Sequence, residues 1–292
     1  MTKAARCGPL AQDLGGSIPF FTVQSLTSCG IQASSDIGKL LEITLESVLL
    51  LSITGFVAGG INTVAGGGSN LTLPVLMILG LPADIANGTN RVSIALQCVV
   101  GLAGYDKHET LDRPALVPIL VPSMAGGLCG AIGAALIPNL FLKPILLGTI
   151  LLMALVILIK PGVIAPPPGT KNLSPSESHG AWWGLFAAGV YGGFVQAGVG
   201  FILLAALAGG LRYDLLRANA LKTACALAFT SVALIVFIAF DQVWWIPGLI
   251  LAAGSMLGAH LAVKVAVRAS PESIKWFLFS MTLCAVVAGL VF

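Results

Sequence analysis

The sequence predicts an all-α, polytopic membrane protein, and its composition, its long uncharged segments and its glycine breaks all indicate this class. Only 9% of the 292 residues are charged, whereas 57% are hydrophobic. In a soluble domain about a quarter of the residues are charged. The composition therefore excludes a soluble domain and predicts helices that lie in a lipid bilayer.

Two uncharged segments carry the strongest pattern in the chain. Residues 47–83 and 180–211 run for 37 and 32 residues without a charged side chain, and each has a glycine cluster in its later half. A transmembrane helix needs about 20 apolar residues, so each segment is too long for one crossing and too short for two. We expect a helix, a glycine break and a shorter helix in each. Two such segments in corresponding positions are the usual sequence pointer to the substrate site of a transporter.

The order of the uncharged segments predicts two halves. A long broken segment is followed by three unbroken ones in each half, and a proline-rich stretch separates the halves. Matching local patterns support a duplication, because the glycines at 66–68 and the asparagine at 87 have counterparts at 198–200 and at 219. The predicted organisation is listed in chain order: an unassigned N-terminal extension at 1–39, transmembrane repeat 1 at 40–160, a Pro-rich linker at 161–179 and transmembrane repeat 2 at 180–292.

The positions of the cations predict that the two repeats are inverted. If the broken segment of the second half enters and leaves on the same face, ten lysines and arginines after the first segment fall on one side and two on the other. The two exceptions are Arg91 and Lys143. A strong excess of cations on one side is what the positive-inside rule expects. The same arrangement places residues 106–113 inside and their counterpart near Asp241 outside.

The first candidate site comprises the glycine breaks themselves. Glycine lets a backbone approach a ligand closely, and Ser69 or Asn70 is expected to cap the short helix that follows. Irregular backbone at membrane depth is tolerated where it lines a cavity, and backbone amides at a helix start suit an anion. Close helix packing through small residues is the alternative interpretation. The candidates at the two breaks are Gly66, Gly67, Gly68, Ser69, Asn70, Gln196, Gly198 and Gly200.

The second candidate site pairs asparagines with a cation in each half. Each group opens a short uncharged segment and combines an asparagine in a helix-capping position with a cation about one turn away. The cations could supply positive charge to an anion held at the breaks, or they could snorkel to lipid headgroups. The candidates are Asn87, Thr89, Asn90 and Arg91 in the first half, and Asn219 and Lys222 in the second. Three further polar residues, Asn62, Thr63 and Gln97, could line the same cavity.

The sequence contains no motif that indicates catalysis or a cofactor. The six cysteines form no CxxC pair, and no HExxH, P-loop or Ser–His–Asp pattern is present. No carboxylate lies in the middle of an uncharged segment, so no proton relay is indicated. We therefore expect a protein that is not an enzyme and that holds no metal.

Several of these motifs resemble the TauE/SafE family of sulfite exporters. They are the Ala-Gly-Gly-Gly-Ser-Asn run at 65–70 with Pro74, the Ala-Asn-Gly-Thr-Asn run at 86–90, the Ala-Gly-Val-Gly run at 197–200 and the two Gly-x3-Gly-Ala segments. The resemblance covers about residues 45–290. It departs from the pattern at residues 220–222, where Ala-Leu-Lys replaces the small polar run of the first half. It implies a permease for small sulfur-containing oxyanions such as sulfite, or for sulfonates such as sulfoacetate.

Together these observations predict a multi-pass protein of the bacterial inner membrane that moves an anion by alternating access. The expected partners are a small anionic substrate and the lipid bilayer, without nucleic acid. The segments at 126–130 and 254–258 could pack helices within one chain or between two copies in a homodimer. Other hypotheses stay open: a membrane accessory protein that helps to assemble or deliver material, an anion channel, or an intramembrane enzyme.

Overall fold

The computed structural model describes residues 44–64, 66–159, 172–173 and 178–268, with only the backbone for 150–159. The described part is helical, without strands, which confirms the all-α class. The helices in chain order are α1 (Leu45–Val64), α2 (Ser69–Ile78), α3 (Ala83–Lys107), α4 (Arg113–Leu136), α5 (Asn139–Ile159), α6 (His179–Phe194), α7 (Val199–Leu204), α8 (Leu215–Ala239) and α9 (Trp245–Arg268). A π-helical turn, Ala205–Gly210, continues α7. The predicted extension at 1–39, Ala65, most of the predicted linker and the segment at 276–292 lie outside the described residues.

Four of the described helices are long and apolar enough to cross a membrane. They are α1, α4, α8 and α9, and their lengths are 20 to 25 residues. Large apolar side chains such as Ile53, Val117 and Ile235 are more than half exposed on the surface of the bundle. Apolar surface of this kind suits lipid rather than water, so the bundle has the length and the surface of a membrane protein.

Both glycine-broken segments fold as the sequence predicts. In the first half, α1 ends at Val64 and the shorter α2 begins at Ser69. In the second half, α6 ends at Phe194 and the short α7 begins at Val199. The chain between the helices adopts left-handed backbone at Gly66 in the first half and at Gln196 and Gly198 in the second, with φ of 92°, 67° and 73°. The two glycines reach these angles without steric cost, so the sequence favours a break at these two positions.

The broken helix of each half packs against the helix of the other half that carries the Gly-x3-Gly segment. Helix α1 lies on α9, and α6 lies on α4. A Cβ atom added at Gly254 of α9 would lie 2.2 Å from the Ser52 carbonyl oxygen of α1, and one at Gly130 of α4 would lie 2.0 Å from the Val190 carbonyl oxygen of α6. Backbones this close require glycine. Both Gly-x3-Gly segments therefore pack helices within this chain.

Two predicted helix caps are wrong. Helices α3 and α8 begin at Ala83 and Leu215, one turn before the asparagines Asn87 and Asn219, which lie inside the helices. The cap of α8 is the Asp214 carboxylate, which accepts hydrogen bonds from two backbone amides at 3.0 and 3.1 Å. The predicted caps lie one turn after the true helix starts. The reason is that each uncharged segment begins only after the first charged or polar residues of its helix.

The predicted cap of α2 is also wrong. Gly68 takes the N-cap position without a side-chain hydrogen bond, so neither Ser69 nor Asn70 caps the helix. Both side chains are buried instead, each less than 4% exposed. Their polar groups therefore face the interior of the bundle.

Candidate substrate site

The two glycine breaks touch each other at the centre of the described bundle. The amide of Gly200 donates a hydrogen bond to the carbonyl of Gly66 at 3.3 Å. A Cβ atom on Gly66 would lie 2.2 Å from the Cα atom of Gly200. Since a residue with a Cβ atom at position 66 does not fit this approach, the pairing of the breaks depends on glycine at 66.

A narrow cavity lies beside this contact, between α1, α3, α7 and α8. Its free volume is about 10 Å³, which is about what one water molecule needs. The bundle is therefore nearly closed around the cavity, and a larger guest requires side chains or helices to move. The lining residues are Asn62, Thr63, Gly66, Gln97, Cys98, Gln196, Val199, Gly200, Leu203, Lys222, Thr223 and Ala226.

Lys222 links this cavity to the end of α1. Its side chain is only 2% exposed, and its ammonium group donates to the carbonyls of Asn62 and Thr63 at 3.1 and 3.0 Å and to Asn219 Oδ1 at 2.7 Å. An ammonium group has three protons, so all of them are in use. The last carbonyls of a helix lack partners within the helix, and Lys222 satisfies two of them. The cation from one half thus caps the broken helix of the other.

Arg91 makes the corresponding arrangement in the opposite direction. It is fully buried and donates to the carbonyls of Gly192 and Gly193 in the last turn of α6, the second at 2.8 Å. It also donates to Asn87 Oδ1 at 3.2 Å, and its guanidinium lies 5.4 Å from the ring centre of Phe237. Arg91 does not line the cavity. Since both cations are buried inside helices, neither snorkels to headgroups and neither is a loop charge.

Positive charge is therefore concentrated in the interior of the described bundle. Arg91 and Lys222 are buried, whereas no aspartate or glutamate of the described residues is. The described ion pairs, Arg113 with Asp106 and Arg217 with Asp214, are at the surface. A buried charge that is met only by neutral acceptors is costly. An anion that entered the cavity would lower this cost.

A second polar cluster joins α2 to α3. Thr72 donates to Asn90 Oδ1 at 2.7 Å, and the Asn90 amide donates to Ser69 Oγ at 3.3 Å. The side-chain nitrogen and oxygen of the neighbouring Asn70 are buried without a partner. Elsewhere Thr89 Oγ1 accepts from the amide of Trp244 at 2.9 Å, before the start of α9. These contacts hold helices together and do not line the cavity.

The structure thus divides the predicted site residues into two groups. Gly66, Gln196, Gly200 and Lys222 line the cavity. The others support the surrounding helices or breaks, and they are Gly67, Gly68, Ser69, Asn70, Asn87, Thr89, Asn90, Arg91, Gly198 and Asn219.

Five cavity residues were missing from the sequence-based candidates, and they are Cys98, Val199, Leu203, Thr223 and Ala226. Asn62, Thr63 and Gln97, which also line the cavity, were expected there. The signal for Thr223 was its position next to Lys222. Cys98 has no comparable signal, because a thiol in an apolar segment is usually a packing residue. Among the described residues, no group of three or more His, Cys, Asp or Glu side chains could hold a metal ion.

An apolar helical bundle with two broken helices that meet at a buried polar cavity is typical of a membrane transporter. The chain matches the family described as Sulfite exporter TauE/SafE over residues 51–289. It therefore belongs to the TauE/SafE family and is a membrane transporter of that family.

Curated relatives agree with this class. The chain is 27% identical over 242 residues to a probable membrane transporter protein, ORF9, of Sinorhizobium sp., with 80% of this chain and 88% of the relative covered. It is 28% identical over 230 residues to a probable membrane transporter protein of Haemophilus influenzae, with 77% and 87% covered. It is 23% identical over 237 residues to the probable membrane transporter protein YfcA of Escherichia coli, with 79% and 86% covered.

Proposed function

We propose that this protein exports small sulfur-containing oxyanions, such as sulfite or organosulfonates like sulfoacetate, across the bacterial inner membrane. The observation that carries the proposal is the buried cation beside the cavity, Lys222, without a buried carboxylate among the described residues. The family name adds the sulfur chemistry. The substrate crosses unchanged, so no catalytic group is needed.

Transport would proceed by alternating access at the cavity, with the two halves as inverted repeats. The contacts between the halves support this. Each broken helix packs against a helix of the other half, and a cation of the other half binds the carbonyls at its end. Motion of one broken helix must therefore strain contacts with the other half. The small free volume of about 10 Å³ is what a closed and empty conformation would have. Opening to either side then creates room for the anion.

Lys222 connects substrate binding to this motion. All three of its protons bind protein acceptors in the closed conformation. An oxyanion in the cavity competes with the carbonyls of Asn62 and Thr63 for the same protons. Since a hydrogen bond between two charged groups is stronger than one to a neutral carbonyl, the anion would release the end of α1. Binding would thereby loosen the broken helix next to the cavity.

Export needs no coupled ion in this scheme. Moving one charge through 100 mV is worth about 2.3 kcal/mol, and a potential that is negative inside already drives anions outward. Flux that requires a proton gradient at fixed potential would contradict this part of the proposal.

The test is flux of ³⁵S-labelled sulfite and of sulfoacetate in proteoliposomes at a clamped potential. We expect saturable flux in the wild type and loss of most flux in Lys222→Met, because the interior charge next to the cavity is removed. Arg217→Met is the matched control, since Arg217 is a cation at the exposed start of the same helix. Equal flux in Lys222→Met and Arg217→Met would reject the site.

Other results would favour the alternative hypotheses. Flux that rises linearly with concentration indicates a channel, and chemically altered substrate indicates an enzyme. If the folded wild type neither transports nor binds either anion, two hypotheses remain: it transports another substrate, or it is an accessory protein.

A further inference from the structure

Gln196 occupies a backbone position that the other half gives to glycine. The amide of Gly66 donates to the carbonyl five residues earlier, Ile61, at 3.0 Å, and thereby ends α1. The amide of Gln196 makes the same bond to Tyr191 at 3.2 Å, at the end of α6. Both residues are left-handed, with φ of 92° and 67°. A glutamine is strained in this conformation, whereas a glycine is not. The backbone alone therefore favours glycine at 196.

The side chain of Gln196 does not compensate this strain with a complete set of hydrogen bonds. It is only 2% exposed and lines the cavity. Its Nε2 atom donates to Thr230 Oγ1 at 2.9 Å, whereas its Oε1 atom is buried without a partner. It is the one cavity-lining side chain in the described part of the protein with such an atom. Strain together with an unsatisfied buried group is typical of functional positions.

Thr230 can exchange its role in this contact. Thr223 and Ser231 on the same helix donate to the carbonyl four residues earlier, whereas the bond described for Thr230 is the one with Gln196. A hydroxyl group both donates and accepts. If the amide turns by half a rotation, Thr230 donates to Oε1. The two N–H groups of Gln196 then become available for a guest in the cavity.

We infer that Gln196 is a substrate-binding residue that donates two hydrogen bonds to the oxyanion, with Thr230 as the positioning residue that accepts in the empty site and donates in the loaded one. The inference rests on the proposed function, which it deepens. Lys222 attracts the anion by charge, and the planar amide of Gln196 recognises two of its oxygen atoms. Both substrates in question, sulfite and sulfonates, present such pairs of oxygens.

The experiment compares Gln196→Gly with wild type in the full-length protein. Thermal unfolding is followed in detergent, and the KM and maximal rate of sulfite flux are measured in proteoliposomes. We expect an unfolding midpoint that is equal or higher, because the strain is relieved, and a KM that rises about tenfold or more from the lost hydrogen bonds. The matched control is Arg212→Gly. Arg212 is also left-handed, with φ of 62°, but it does not line the cavity, so this change relieves backbone strain away from the site. It should leave KM unchanged.

A second pair of variants separates binding from folding. Asparagine tolerates left-handed backbone, so Gln196→Asn keeps the fold while its amide is one methylene short. We expect a raised KM there, and a smaller rise in Thr230→Val. If the folded Gln196→Gly and Gln196→Asn variants have the same KM as the wild type, the inference is overturned. Saturable sulfite flux in the wild-type protein would still uphold the proposed function in that case. Absence of sulfite and sulfoacetate flux in the wild type would overturn both.

Discussion

Replacement of Gly66 by alanine should destabilise the protein through the contact between the two breaks. The new Cβ atom would lie 2.2 Å from Gly200 Cα and 3.0 Å from its backbone nitrogen and carbonyl carbon. None of these is the end of a flexible side chain, so the backbones must separate. The left-handed φ of 92° adds a second penalty for any residue with a Cβ atom.

The two penalties give the expected size of the effect. A left-handed alanine costs about 1–2 kcal/mol, and overpacking of a well-packed interior costs about 1–3 kcal/mol. The free energy of unfolding should therefore fall by about 2–5 kcal/mol in Gly66→Ala. Gly67→Ala is the matched control, because the nearest atom to its Cβ atom would be in the Phe201 ring, at 3.2 Å, and a ring can turn aside.

The assay is equilibrium unfolding of both variants in the same detergent, together with sulfite flux. We expect Gly66→Ala to lose both stability and flux, since the separated breaks also border the cavity. Gly67→Ala should keep most of both. If Gly66→Ala unfolds at the wild-type denaturant concentration, the two breaks do not touch as described and the reasoning fails.

Three further predictions test the buried polar groups and the helix caps. Arg91→Lys should lower the free energy of unfolding by about 1–3 kcal/mol, because a buried carbonyl of α6 loses its partner, yet leave the sulfite KM unchanged; a raised KM would place Arg91 in the site. Asn70→Leu should be neutral or stabilising in denaturant unfolding, because both polar atoms of Asn70 are buried without partners; a large loss would show that Asn70 has a partner. Asp214→Ala should cost about 0.5–2 kcal/mol in the same measurement through loss of the α8 cap; an unchanged unfolding midpoint would show that this cap does not stabilise the protein.

Each half supplies a cation to the broken helix of the other half, which explains why both cations are retained in an apolar interior. Lys222 and Arg91 each bind two backbone carbonyls at the end of a broken helix from the other half. A helix that ends inside a membrane leaves carbonyls that water cannot reach. The cations satisfy these groups, and only the one beside the cavity is placed to act on a substrate as well.

The features that depend on local physics are readable from the sequence. The length of an uncharged segment predicts a membrane helix, because each residue adds a fixed rise and the length of the helix must match the thickness of the bilayer. Glycine clusters predict the breaks because left-handed backbone is open to glycine alone at no cost. For these reasons the pattern of a helix, a break and a shorter helix was predictable in both halves, and so were cavity residues such as Gly66 and Lys222.

Which polar residues meet depends instead on how the two halves pack in three dimensions. Arg91 and Lys222 occupy similar positions in the sequence, yet one is enclosed by α6 and Phe237 and the other borders the cavity. Their hydrogen-bond acceptors come from the other half of the chain, more than 100 residues away, and no local pattern encodes such a distance. The same holds for Gln196, whose strain and unpaired oxygen emerge only when α6, α7 and α8 pack together. Local sequence sets where a helix ends, but packing between the halves decides which group satisfies that end and which is left for a substrate.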